Sequence, residues 1–190
     1  ETLSLGMSTF EKAGCYTCHS MDRWGEEYPK AGPSLYKVAS KTTKDWTYRW
    51  IMEPRAFRHN TWMPHFFKKG NNSSPEDLLR TEQETLAMTE YLFERSSDYD
   101  MERNRQKGDP IKGELLVSSL GCLGCHEIQP EPDPDYDPSL QNLRLEQGPN
   151  LIGVGSKTDR EWLFNWLKNP YTYHPGTKMP NLRLTDQEAS

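Results

Sequence analysis

Two five-residue stretches, Cys15-Tyr-Thr-Cys-His19 and Cys122-Leu-Gly-Cys-His126, hold all 4 cysteines and two of the 5 histidines in the 190-residue chain. Each follows a glycine, Gly14 or Gly121. On a helical turn, residues three apart face the same way. Each cysteine pair therefore turns two thiols toward one object, and the histidine beside it adds an imidazole.

The pattern Cys-x-x-Cys-His reads as a c-type haem attachment site, and here it occurs twice. Both thiols of a pair can meet the edge of one flat macrocycle, and the adjoining His19 or His126 can swing beneath the iron as its proximal ligand. Other uses of paired cysteines fit less well. A zinc ribbon needs its two pairs about 15–20 residues apart, whereas 103 residues separate Cys18 from Cys122. A thioredoxin-like dithiol needs strands rich in β-branched residues, which the sequence lacks. Plain disulfides would leave the histidine after each pair without a reason. The expected cofactors are two haem c groups.

A repeat bears on the opposite face of the iron. Gly32-Pro-Ser-Leu-Tyr-Lys-Val-Ala-Ser-Lys-Thr42 aligns without a gap to Gly148-Pro-Asn-Leu-Ile-Gly-Val-Gly-Ser-Lys-Thr158, at an offset of 116. The same offset carries Trp46, Trp50 and Pro54 onto Trp162, Trp166 and Pro170, and Thr61, Met63 and Pro64 onto Thr177, Met179 and Pro180. His59 and His65 fall instead on Pro175 and Asn181. If both halves hold haem alike, Met63 and Met179 are the distal ligands, since a thioether suits iron opposite an imidazole and raises its potential. His59 and His65 remain alternative axial ligands in the first half, and His174 in the second. Met52 is expected to pack at the end of a helix.

The two attachment motifs align at a different offset, 107, so the second half carries nine more residues between its histidine and its Gly-Pro. There lies the Pro-rich run Glu127-Ile-Gln-Pro-Glu-Pro-Asp-Pro-Asp-Tyr-Asp-Pro138, with Glu127, Glu131, Asp133, Asp135 and Asp137 and no basic residue. The formal charge of -5 arises wholly in residues 108–190, where 7 Lys/Arg face 12 Asp/Glu. A solvated loop is the plain expectation for this run. The sharper one is a docking patch, over residues 127–137, for a basic partner. Without a basic stripe, nothing points to nucleic acid. No stretch of about 18 apolar residues is present to span a membrane, and Glu-Thr-Leu-Ser-Leu-Gly at the start lacks the features of a signal peptide.

Helical signals precede both attachment sites, in Thr9–Ala13 and Lys112–Leu120. A second pair of helices, Thr42–Met52 and Thr158–Leu167, is expected to begin at Thr42 and Thr158, with Asp45 and Glu161 completing capping boxes. A last helix is expected from Thr81-Glu-Gln-Glu84 through Phe93, with a copy starting at Thr185-Asp-Gln-Glu188. Because the sequence ends at Ser190, that copy is expected to be truncated, either because the chain is part of a longer polypeptide, the favoured reading, or because a partner supplies the helix. Lys68–Pro75 reads as a surface loop, and polar Ser96–Pro110, ending in Gly-Asp-Pro, as a connection between units. The expected domains are 1–98, a linker at 99–110, and 111–190. With 34% hydrophobic residues and a mean hydropathy of -0.92, two such units are poor in core material, so the haems are expected to act as their hydrophobic centres.

A haem motif near a helix, then Gly-Pro-x-Leu, a Trp-bearing helix and Thr-x-Met-Pro together resemble the class I cytochrome c family, in each half of the chain. The resemblance implies an all-α fold of two tandem domains, each a few short helices wrapped around one covalent haem c. It implies thioether bonds at Cys15, Cys18, Cys122 and Cys125, with His19, Met63, His126 and Met179 as axial ligands. It implies carbonyls of Pro33 and Pro149 on the proximal histidine rings, and Trp46 and Trp162 near the haem edges. The activity implied is one-electron transfer between a respiratory donor, such as a quinol-oxidising complex, and a terminal oxidase or reductase, without enzymatic turnover. Expected partners are redox proteins or a membrane respiratory complex. The compartment implied is periplasmic or otherwise extracytoplasmic. A diheme peroxidase would need one haem with an open or displaceable ligand; a gas sensor would need the same.

Overall fold

A computed structural model describes residues 1–25, 30–58, 61–70, 73–128 and 148–190. These residues are mostly helical, and no strand is found among them. They divide into two compact units, Glu1–Tyr99 and Asp100–Ser190.

The first unit is built on two helices, α1 (Thr2–Lys12) and α4 (Pro75–Glu94). Gly6 of α1 allows them to touch, since a Cβ there would stand 2.1 Å from the Ala87 carbonyl oxygen and 2.7 Å from Tyr91 Cβ. Phe10, one turn later, is 1% exposed and meets Tyr91 and Trp24 at ring-centroid distances of 6.0 and 5.2 Å. Burying such a side chain contributes about 1.5–3 kcal/mol. Met21, Val38, Ile51, Met52, Phe67, Met88 and Leu92 complete this core. As expected, Met52 is buried at the end of a helix, α2 (Lys44–Met52), and α3 (Pro54–Phe57) follows at once.

Two helix starts differ from expectation. The long helix begins not at Thr81 but at Pro75, after Ser74, whose hydroxyl accepts from Asp77 N while the Asp77 carboxylate accepts from Ser74 N. Proline fits the first helical position and an acidic third residue closes the box, so Ser-Pro-Glu-Asp is the stronger start signal. Thr81 lies inside the helix, its hydroxyl donating to the Asp77 carbonyl at 2.9 Å. The cap of α2 is likewise Thr43, one residue beyond Thr42; the buried Thr42 bonds Thr47 and the Val38 carbonyl instead.

In the second unit α5 (Pro110–Ser119) is capped by Asp109, and none of its residues is fully buried. A short α6 (Val154–Lys157) leads to α7 (Arg160–Lys168), α8 (Pro170–Tyr173) and α9 (Asp186–Ala189). Asp159, not Thr158, caps α7 by accepting from Trp162 N at 2.7 Å. Thr185 caps α9 with Glu188 in a capping box. The core of this unit holds Phe164, Leu184 and Ala189. Part of the segment expected to be a linker is tied down here: Glu102 N donates to Asn165 Oδ1 at 2.8 Å, Asn165 Nδ2 donates back to the Glu102 carbonyl at 2.9 Å, and Asn104 Nδ2 donates to Ser190 Oγ. Among the described residues no helix is long and apolar enough to cross a membrane. Of the acidic run only Glu127 and Ile128 are described; residues 129–147, and His59, lie outside the described residues.

Candidate haem sites in the two units

Each attachment motif hangs from the end of a helix through a glycine. Gly14 and Gly121 adopt φ of 69° and 78°, a left-handed conformation that other residues enter at a cost. The chain then winds into a short 3-10 turn, Cys15–Thr17 or Cys122–Gly124. His19 N donates to the Cys15 carbonyl and His126 N to the Cys122 carbonyl, both at 2.9 Å. None of the four cysteines is joined in a disulfide. Burial, with help from any charge on Cys18 and against its own backbone hydrogen bond, pushes the Cys15 thiol up to about 11, so it stays neutral.

The histidine rings are fixed from the side. His19 Nδ1 lies 2.7 Å from the Pro33 carbonyl oxygen, and His126 Nδ1 lies 2.8 Å from that of Pro149. A carbonyl only accepts, so Nδ1 carries the proton and Nε2 keeps its lone pair for a metal. The preceding glycines make this approach possible. A Cβ on Gly32 would stand 2.5 Å from His19 Cε1, and one on Gly148 would stand 2.5 Å from His126 Cε1 and Nδ1. Each glycine N–H also donates to the carbonyl of the second cysteine at 2.8 Å. Burial lowers the His19 pKa, with the Pro33 hydrogen bond opposing, which keeps the ring neutral and able to ligate.

The methionines are held at both ends. Met63 N donates to Thr61 Oγ1 and Met179 N to Thr177 Oγ1, each at 3.2 Å. Trp50 Nε1 donates to Met63 Sδ and Trp166 Nε1 to Met179 Sδ, each at 2.8 Å. The expected tryptophans, Trp46 and Trp162, stand one turn away and stack on these indoles at 5.2 Å. The residues that touch sulfur were thus missed in favour of their neighbours. No spacing in the sequence separates them, because Trp46 and Trp162 precede the same methionines as regularly, by 17 residues, as Trp50 and Trp166 do by 13.

His65 is half-buried, and its Nε2 is enclosed with no hydrogen-bond partner among the described residues. His174 is half-buried at the end of α8, its N–H donating to the Pro170 carbonyl. Paired cysteines, a histidine with Nδ1 occupied, and a thioether oriented by donors form a donor set that fits haem c in each unit.

Residues 3–95 match the cytochrome c family. They form a cytochrome c domain. Cytochrome c of Ginkgo biloba is similar to this chain, with 29% identity over 93 residues that span 43% of this chain and 81% of that protein. No solved structure matches the chain. A cytochrome c domain implies covalently bound haem c, and the family generally carries electrons between redox proteins and does not act as an enzyme. Its members are commonly extracytoplasmic.

Proposed function

We propose that the chain is a diheme electron carrier in which residues 100–190 form a second cytochrome c domain. One observation carries this reading: the histidine, carbonyl, threonine, tryptophan and methionine contacts of the matched domain recur in the second unit, with distances agreeing within 0.1 Å. When bound, the haem supplies a one-electron iron centre.

The chain's own residues do the rest. Cys15 and Cys18, and Cys122 and Cys125, anchor the group covalently. His19 and His126 offer Nε2, kept available because Nδ1 is held by a proline carbonyl. Met63 and Met179 would offer sulfur to the same group. If the haem is held by His19 and Met63, and by His126 and Met179, the protein would supply the ligands that a substrate would otherwise replace, which favours electron transfer over catalysis. Donor and acceptor are redox proteins or a membrane respiratory complex in an extracytoplasmic compartment, and the acidic run 127–137 favours a basic partner and salt-sensitive exchange.

Two measurements on the purified protein test this. Intact mass with a pyridine haemochrome assay should give two covalent haems per chain; one haem would confine the function to the first unit. The sulfur-to-iron charge-transfer band of the oxidised protein, scaled to total haem, should have full two-haem intensity. Half intensity would mean that one unit uses a histidine or has an open position, and would reopen the peroxidase reading.

A further inference from the structure

The Pro33 carbonyl is only as fixed as the backbone that carries it, residues 32–40. Leu35 N donates to the Ser20 carbonyl at 2.9 Å, which pins the near end of this loop to the residue after His19. Its far end is held by groups from elsewhere in the first unit. Tyr36 Oη donates to the Asp22 carbonyl at 3.1 Å, Ser97 N donates to the Tyr36 carbonyl at 2.6 Å, and Ser96 Oγ accepts from Ala39 N at 3.0 Å. Arg95 closes α4, so Ser96 and Ser97 are the chain leaving the long helix and turning back as a strap across the loop. The first haem site is thus tied to the segment that leads on toward residue 100, where the second unit begins.

Asp22 anchors the other side. Its φ of 48° is left-handed, uncommon for a residue with a Cβ, and it lies in a tight turn where Met21 and Trp24 exchange backbone hydrogen bonds at 3.0 and 2.9 Å. Such a conformation persists where the surroundings over-determine it. The turn gives the Asp22 carbonyl to Tyr36 and its carboxylate to Tyr91 of α4, and Arg95 stands 3.9 Å from the same carboxylate. The second unit repeats only part of this. Leu151 N donates to the Glu127 carbonyl at 2.7 Å, matching Leu35 and Ser20. Ile152 then stands in the place of Tyr36 and has no hydroxyl to give, and the chain passes through left-handed Gly153 into α6. A carbonyl held on Nδ1–H makes an imidazole a stronger donor through Nε2, which stabilises the oxidised metal and lowers its potential.

We propose that Asp22, Tyr36, Ser96 and Ser97 form a clamp of positioning residues for the first haem. The clamp keeps the Pro33 carbonyl on His19 and so fixes ring orientation and donor strength in the first unit alone. The proposal rests on the haem reading above. It makes the stretch after α4 part of the proximal site rather than a passive start to the connection.

The test uses the full chain with its haems attached. Tyr36→Phe keeps the ring and deletes the hydroxyl, and Ser96→Ala deletes the strap's acceptor. In the reduced protein, NMR follows exchange of the His19 Nδ1 proton, with the His126 Nδ1 proton as the reference in the same sample. Each variant should speed exchange at His19 about 2–10-fold, the worth of one lost hydrogen bond, and leave His126 unchanged. The potential of the first haem, followed by its own resonances, should rise while the second stays put. Gly6→Ala strains α1 against α4 and leaves the clamp atoms in place, so it shows what lost stability does by itself. If both clamp variants stay within the Gly6→Ala effect on exchange and potential, the proposal is overturned while the haem reading stands. If the wild-type first unit holds no haem, that reading fails and the proposal with it. Should Tyr36→Phe take up no haem, Ser96→Ala decides by the same criterion.

Discussion

The first and second units share their site geometry and differ in their cores. The histidine–carbonyl distances are 2.7 and 2.8 Å, and the indole–sulfur distances are both 2.8 Å. Yet Phe10 is 1% exposed on α1, whereas Ile111 and Leu115 on α5 are 72% and 65% exposed. Gly6 lies against Ala87, while Gly113, which like Gly6 stands nine residues before the first cysteine of its pair, has nothing within 4 Å of its would-be Cβ. The site is written in short loops whose hydrogen bonds are local to each segment pair. The core is a product of one helix lying across another, and among the described residues no helix lies across α5 as α4 lies across α1. Site and scaffold are thus separable properties of this sequence.

Truncating the core should separate the units most. Phe10→Ala is expected to cost the first unit about 3–5 kcal/mol through lost burial and a residual cavity. Val117→Ala, at the matching place five residues before Cys122, should cost about 1 kcal/mol or less. Hydrogen exchange read separately in each unit by mass spectrometry measures both, and equal losses would erase the contrast.

The glycine pair should respond with opposite signs. Gly6→Ala forces α1 off Ala87 and should destabilise the first unit by about 1–3 kcal/mol. Gly113→Ala meets open space and should stabilise α5 by about 0.5–1 kcal/mol through helix propensity. Denaturant midpoints of the two variants check the sign.

A pH dependence in the first unit follows from Tyr91. Tyr91 is 1% exposed and its hydroxyl donates to Asp22 Oδ2 at 3.1 Å. Burial, then that hydrogen bond and the Asp22 charge, push the phenol up to about 12. A raised pKa means the folded state favours the protonated phenol. Its stabilisation is complete below about pH 10, the ordinary tyrosine value, and is lost as pH rises through about 12. Tyr91→Phe should cost about 1–2 kcal/mol at neutral pH and should flatten the alkaline loss in urea titrations of the first unit.

The smallest effect is expected at Lys168, which stands where the first unit has buried Met52. Its ammonium pairs with Asp186 at 2.7 Å and donates to the Leu184 carbonyl at 2.8 Å. Both charged groups are substantially exposed, so Lys168→Ala should cost the second unit about 1 kcal/mol or less, shrinking further in high salt. A loss that ignores salt would point to packing of the lysine stem instead.

Much of the site was legible because its chemistry uses rare residues at fixed spacing. Cysteine, histidine and methionine carry the pattern, and a repeat at one offset picks Met63 from its histidine neighbours. The proline carbonyls followed from the resemblance, and both lie within 2.8 Å of a histidine nitrogen. The indole donors were less visible, since two tryptophans four apart on a helix read alike and only the fold shows which one faces sulfur. Helix starts slipped where two capping signals competed, as Ser74 and Thr81 did, because local pattern does not rank them against tertiary packing. The role of Gly6 was invisible for the same reason: a glycine inside a helix looks like a weakness until the crossing helix is in place.

Gly32 and Gly148 bear on how such a chain can change over generations. Every other amino acid carries a Cβ, and at these positions that atom would stand 2.5 Å from a histidine ring. Conservative replacement therefore does not exist there. A copy of either unit, free to drift at its surface and even in its core, would still have to inherit its one such glycine unchanged, or surrender the imidazole it makes room for.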